Sequence, residues 1–289
     1  MNRHTALHTT LLKSAEECLR ARWALAFEDP IELSTSAWIG HIPFAFWLVE
    51  NLRPKLFVEL GVHTGISYLA VCQAVDRLGL GTRCHGVDTW TGDMHAGKYG
   101  EDIFTTLVQK HDRYQRFSSL MRMTFDDAVA HFADGTVDLL HIDGCHTYEQ
   151  VRHDFEGWRP KLSNNSVVML HDVNVRERDF GVWRLWEEIR HDYSAFVFPH
   201  SFGLGVLATG SALPDPLQQL FLSMKDRHRK ACICKLFADA GERLDVLMRE
   251  RQGERRKLPA PLRWVAQRLP RAARFARKFM DRRTTESDQ

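Results

Sequence analysis

Between Pro54 and about Gly210, short apolar runs alternate with amphipathic stretches, and this pattern restricts the chain to few architectures. The runs are residues 56–60, 84–87, 120–123, 137–142, 167–170, 195–198 and 204–208. Helical spacing lies between them, over 66–75, 148–158 (Val151, Phe155 and Trp158 on one face) and 180–189 (Val182, Trp183, Leu185, Trp186 and Ile189). Strands alternating with helices predict βαβ units and a mainly parallel sheet covered on both faces. Too little chain separates the last two runs for a crossover helix, so they are predicted to pair antiparallel. The class is therefore α/β: a Rossmann-like, doubly wound sheet of seven strands with an antiparallel last strand, plus helical N- and C-terminal extensions. With 44% apolar residues, 8 Trp and 17 Phe, the chain has ample material for a core, which excludes a largely disordered protein.

Four stretches are predicted. Residues 1–53 form a helical cap in which Leu11, Leu12, Ala15, Cys18 and Leu19 recur at helical spacing, and a second helix ends at Leu52 before Pro54, with Pro43 in its first turn. Trp38, Phe44, Phe46 and Trp47 read as core, with cofactor cover or a dimer contact as the alternative. Residues 54–210 form the α/β domain that holds the alternating strands and helices. Residues 211–250 form one long helix through Leu217, Leu220, Phe221, Met224, Leu236, Leu244 and Leu247. Residues 251–289 form a basic tail. From Arg249 to Gln289 there are 13 Lys/Arg against 5 Asp/Glu, so the overall net charge of +2 covers a mildly acidic body. Charge confined to a tail argues against a nucleic-acid partner. Leu262, Val265, Leu269, Ala272, Ala276 and Phe279 among arginines suit peripheral contact with an anionic membrane, or a docking helix. No apolar run is long enough to span a bilayer, no secretion signal is evident, and six cysteines without a Cys-x-x-Cys pair read as reduced thiols, so a cytoplasmic location is expected.

The turn Glu59-Leu60-Gly61-Val62-His63-Thr64-Gly65 follows the first strand and opens a helix, where doubly wound sheets bind ligands. Its Gly-x-x-x-Gly spacing is neither the dinucleotide fingerprint nor a phosphate loop, which points to a nucleoside ligand without pyrophosphate. Asp88 ends the second strand, where a carboxylate can accept ribose hydroxyls. The alternative reading makes the glycines plain turn residues and Asp88 a helix cap.

These segments, with Val87-Asp88-Thr89-Trp90-Thr91-Gly92-Asp93, Asp138-Leu139-Leu140-His141-Ile142-Asp143-Gly144-Cys145-His146-Thr147-Tyr148 and Leu170-His171-Asp172-Val173-Asn174, resemble a class I S-adenosylmethionine-dependent methyltransferase. The similarity runs from about Ser36 to Gly210 and is closest to the metal-associated O-methyltransferase branch found among glycan and natural-product enzymes. It implies S-adenosylmethionine as cofactor, held by Glu59, Gly61, His63, Gly65 and Asp88, with Phe125 and Asp126 near the adenine; Asp126 could equally cap the next helix.

Asp143 ends the fourth strand and His171-Asp172 the fifth, so two carboxylates converge on the ligand rim. Asp143, His171 and Asp172 make a candidate set for Mg²⁺ or Mn²⁺. Relatives usually carry a carboxylate where this chain has His171, which is balanced between ligand and bracing group. His146 is the candidate general base, with Asp143 beside it; capping a helix is the alternative. His141 reads as structural. The loop from Trp90 to Gly100 has three glycines, and Trp90, Tyr99 and Asp93 in it suit a sugar. The expected reaction is O-methylation of a sugar, glycan or glycosylated metabolite, by an enzyme that could form a homo-oligomer. A nicotinamide-dependent oxidoreductase or epimerase, and a non-catalytic interaction protein, are the alternatives.

Overall fold

The structure is a computed structural model that describes residues 19–95 and 97–253. Its seven-stranded sheet comprises β1 (Leu56–Leu60), β2 (Arg83–Asp88), β3 (Ser118–Arg122), β4 (Val137–Ile142), β5 (Leu162–His171), β6 (Ser194–Phe198) and β7 (Leu204–Ala208). Their spatial order is β3-β2-β1-β4-β5-β7-β6. The first five strands run parallel, and β7 is antiparallel to both β5 and β6, as the short connection before it requires. Strand order reverses between β1 and β4, so their carboxyl ends frame the crevice in which such sheets bind ligands.

Alternation along each strand feeds two cores. Phe57, Leu139 and Met169 face the side covered by the N- and C-terminal helices. Val58, Leu60, Leu140 and Ile142 face Phe155, Trp158, Leu185 and Trp186 on the other. The helices are α1 (Ile42–Leu52), α2 (Ile66–Arg77), α3 (Glu101–His111), α4 (Phe125–Val129), α5 (Tyr148–Trp158), α6 (Val182–Ile189), α7 (Asp215–Ser223) and α8 (Arg227–Arg251). Trp186 is core as expected. Trp183 is only half-buried, because the Arg176 guanidinium covers its ring 4.5 Å from the centroid.

α1 has Pro43 in its first turn and stops at Arg53, whose φ of 50° breaks the helix before Pro54. Every residue of α1 is buried, and its polar pair is used to pin the irregular chain before it. Glu50 accepts from the Ala24 and Leu25 amides, while Asn51 exchanges hydrogen bonds with the backbone of Arg22. Phe44, Phe46 and Trp47 are core. The helical run proposed around Leu11 to Cys18 lies outside the described residues, as does the tail beyond Gly253 with its membrane or docking role.

The single C-terminal helix is in fact two. The apolar spacing continues through the break, but the Asp226 carboxylate accepts from the Arg229 amide at 2.8 Å and starts a new helix. α8 packs on a 3₁₀ turn, Ala37–His41, so closely that a Cβ on Gly241 would lie 2.4 Å from the Gly40 carbonyl oxygen. Leu48, Val71 and Phe237 share one hydrophobic cluster, so the N-terminal, sheet and C-terminal stretches have a common core. Among the described residues, no helix is long and apolar enough to cross a membrane.

Candidate active site

A cavity of about 560 Å³ opens at the carboxyl ends of β1, β2, β4 and β5. The turn after β1 forms its floor. Gly61 has φ +87°, and a Cβ there would sit 2.1 Å from the Asp143 carbonyl oxygen, so this glycine lets the ends of β1 and β4 meet. Gly65 has φ +83° as the residue preceding α2, but it packs against Leu107 and does not line the cavity. Its left-handed φ gives it a conformational role at the start of α2.

Asp88 does line the cavity. Its Oδ2 accepts from the Val62 and His63 amides, both at 2.9 Å, and its Oδ1 from the Trp90 amide at 2.7 Å. A carboxylate has about four lone-pair sites, so Asp88 chiefly shapes the turn and keeps little free capacity for a ribose. His63 lines the cavity with its ring 4.8 Å from that of Tyr99. Trp90 is buried, donating from Nε1 to the His63 carbonyl, and is therefore no stacking platform for a sugar; Tyr99 and Asp93 do reach the cavity wall. Phe125 and Asp126 line it as well. The helix cap is Thr124, which accepts from the Asp127 amide, while Asp126 pairs with His153 at 2.7 Å.

Glu59 differs from expectation in the same way as Gly65. It is completely buried beneath the floor, where Oε1 accepts from the Ser67 hydroxyl at 2.7 Å. Its Oε2 is 2.9 Å from His141 Nδ1, close but poorly aligned for a hydrogen bond. The Trp38 indole donates to His141 Nε2 at 3.1 Å, which places the proton of a neutral imidazole on Nδ1, facing Glu59. Burial raises the Glu59 carboxyl, against the opposing pull of His141. Ser67 and Trp38 both line the cavity, so Glu59 and His141 join floor to wall through the interior.

Asp143, His146, His171 and Asp172 meet at the rim. His146 Nε2 lies 3.0 Å from Asp172 Oδ2 and 3.4 Å from Asp143 Oδ1. His171 Nδ1 lies 3.4 Å from Oδ1 of each aspartate, and its Nε2 donates to the Ser201 carbonyl. Burial opposes charge on all four, but mutual attraction overrides it. The His146 imidazole is carried up to about 9 by its bonds to Asp143 and Asp172, and His171 up to about 10 by the Asp143 charge. Both carboxyls are held below their usual range, Asp143 strongly so. Near neutral pH the group is therefore two imidazoliums and two carboxylates, not the carboxylates and free imidazole base expected from sequence.

Single ligand atoms of Asp143, His146 and Asp172 all lie within 4.8 Å of one another. Such oxygen and nitrogen donors fit a divalent cation such as Mn²⁺. His171, the imidazole of the set read from sequence, also lines the cavity but is 3% exposed and lies 3.4 Å from each aspartate, whereas His146 reaches Asp172 at 3.0 Å and completes the closer group. Trp38, read from sequence as core or cofactor cover, is buried and also lines the cavity, whereas sequence reasoning missed two support residues: Phe180, stacked on His146 at 4.6 Å, and His95, 5.5 Å from the same ring. They come from separate loops, and no local spacing links them to residues 143–146.

Residues 58–173 match the family described as a methyltransferase domain. An uncharacterized protein of Sinorhizobium fredii, y4gI, is 47% identical over 207 residues, which cover 72% of this chain and 23% of that protein. The chain thus spans about a quarter of this relative's length. Among solved structures, a methyltransferase from Geobacter sulfurreducens is similar at 15% identity and TM-score 0.45, covering 68% of this chain and 87% of that one. The Podospora anserina methyltransferase PaMTH1, solved with SAH bound, is similar at 13% identity and TM-score 0.45, covering 72% and 96%. Cofactor-bound Rv0187 from MTB is similar at 13% and 0.47, covering 71% and 90%.

Proposed function

We propose that the domain transfers a methyl group from S-adenosylmethionine to an oxygen, the acceptor being a hydroxyl of a sugar or glycosylated metabolite. One observation carries the cofactor reading: Asp88, Asp93 and Asp126 line the cavity beside Asp143 and Asp172, whose charges His146 and His171 offset, and among the described residues no lysine or arginine lines it. A carboxylate-lined pocket favours a sulfonium and disfavours the pyrophosphate of a nicotinamide dinucleotide. S-adenosylmethionine supplies an electrophilic methyl group whose carrier leaves as a neutral thioether.

The protein's own contribution is alignment and proton removal. Gly61, His63 and Asp88 shape the floor, Phe125 and Asp126 the far wall, and Ser67, braced by Glu59, the base. His146 takes the hydroxyl proton at Nε2, and Asp143 and Asp172 stabilise the imidazolium formed. The acting form is the neutral imidazole, so His146 must first give up the proton that its neighbours favour. A divalent cation held by Asp143, His146 and Asp172 would supply Lewis acidity to the hydroxyl. Proton and cation compete for the same Nε2.

Isothermal titration of the full chain with S-adenosylmethionine, S-adenosylhomocysteine and NAD⁺, each with chelator and with Mg²⁺ or Mn²⁺, tests the reading. Binding of the first two without NAD⁺ is expected. Binding of NAD⁺ alone would overturn it, and a screen of glycans and small phenols would then find or exclude the acceptor.

A further inference from the structure

The imidazole at the centre of the proposed reaction lacks the support such groups usually have. His146 Nδ1 is buried and has no hydrogen-bond partner, whereas catalytic imidazoles are commonly oriented through that second nitrogen. Its orientation is instead set by packing. The Phe180 ring lies 4.6 Å from the imidazole at an interplanar angle of 9°, and the Gly181 amide donates to the His146 carbonyl at 2.7 Å. Ring face and main chain are gripped by two successive residues.

Phe180 is itself held in a strained loop. Arg178 and Asp179, the two residues before it, have φ of 51° and 60°, left-handed conformations that non-glycine residues adopt only when surroundings enforce them. His95, from the distant loop after β2, donates from Nε2 to the Arg178 carbonyl at 2.8 Å, and its ring meets Phe180 edge-on at 4.5 Å. The acceptor is a carbonyl, so the His95 proton is on Nε2. The Asp93 carboxylate in turn fixes His95 by accepting from its amide at 2.7 Å.

We propose that His95 is a positioning residue for His146, acting through the Arg178 carbonyl and the Phe180 ring. It pins the left-handed turn, the turn presents Phe180, and Phe180 holds the imidazole plane so that Nε2 stays between Asp143 and Asp172. The inference rests on the reading of His146 as the proton acceptor, but its geometry can be tested without an acceptor substrate.

The test uses the full chain with His95→Ala and His95→Gln, whose amide can donate to the same carbonyl. Phe180→Leu serves as a second route to the same effect. Hydrogen exchange of peptides covering residues 174–181 and the rate of His146 carbethoxylation by diethylpyrocarbonate, both read by mass spectrometry, report the clamp. In His95→Ala both are expected to rise about threefold to tenfold, the scale of one hydrogen bond. Phe180→Leu is expected to raise carbethoxylation similarly, and His95→Gln to return both readouts at least halfway to wild type. Unchanged exchange and reactivity in His95→Ala, or a glutamine variant no better than alanine, would overturn the assignment. Titration with S-adenosylhomocysteine separates the two ideas: its failure to bind the wild type counts against methyl transfer, while the clamp stands or falls on exchange and reactivity.

Discussion

Replacing Gly61 by alanine tests how the cavity floor is built. The new Cβ would stand 2.1 Å from the Asp143 carbonyl oxygen and 2.6 Å from its carbon, against 3.4 Å for an ordinary contact, so the ends of β1 and β4 must part by more than an ångström. The obstacle is backbone and has no rotamer to change. Two hydrogen bonds are anchored at this point, Asp143 N to the Leu60 carbonyl at 2.8 Å and Gly61 N to the Val87 carbonyl at 2.9 Å. Losing them costs about 1 kcal/mol each, and a left-handed non-glycine residue adds about 1–2 kcal/mol. The sum is about 3–4 kcal/mol, which corresponds to a melting temperature lower by on the order of 10 °C. Gly65→Ala is the matched control. Its φ is also left-handed, but its Cβ would meet only the Leu107 side-chain terminus at 2.4 Å, which can move. The control should therefore cost only the conformational term, about 1–2 kcal/mol. Urea denaturation gives both values, and calorimetric titration should show S-adenosylhomocysteine affinity falling at least about tenfold in Gly61→Ala as Asp143 is displaced. If the two variants unfold alike, the account of Gly61 as the joint between β1 and β4 is wrong.

Asp88→Asn cannot accept from three backbone amides and sets its own N–H groups against one of them, so a loss of about 2 kcal/mol is expected, with red-shifted Trp90 fluorescence as that residue is released; an unshifted spectrum would refute the anchoring role. The His146 imidazole is raised to about 9 from an ordinary value near 6.5, so methyl transfer should accelerate as pH climbs from 7 and level off near 9, and a midpoint at 6.5 would count against the buried charge cluster. The same shift contributes stability that is fully present below pH 6.5 and lost as pH rises through about 9, which a falling melting temperature between pH 7 and 10 would register. Mn²⁺ affinity should increase over this interval, because the ion must displace the Nε2 proton, and pH-independent binding would place the ion elsewhere.

Much of the sheet was legible because buried parallel strands write themselves as apolar runs: six of the seven runs fall within one or two residues of their strands, and only β5 begins well before its run, at Leu162. The end of α1 before Pro54 was legible, but the left-handed φ of Arg53 was not, since a following proline favours extended backbone. The second break was not read, since apolar spacing carries on across Asp226 and only its capping side chain marks the restart. Within the site, the ends of neighbouring parallel strands placed Asp143 and Asp172 on one rim, with His146 three residues beyond Asp143. That pattern could not say which way Glu59 faces or that Asp88 is occupied by amides, because both depend on residues across the sheet. Trp90 looked like a ligand platform because aromatic residues in loops often are; its burial follows from Phe104 and the His63 carbonyl, neither of which local pattern reveals. The pairing of His95 with Phe180 joins segments some 85 residues apart and leaves no trace in composition or period.

The buried line from Trp38 through His141 and Glu59 to Ser67 has a consequence for anyone reshaping this pocket. Trimming the indole to enlarge the cavity would also remove the donor that fixes the orientation of an interior imidazole. That imidazole would then be free to turn, and the carboxylate it faces would lose a fixed neighbour, loosening the serine on the opposite side. Wall and base are thus not independent parts, and a variant library that changes one without compensating the other will confound altered acceptor choice with damaged cofactor affinity.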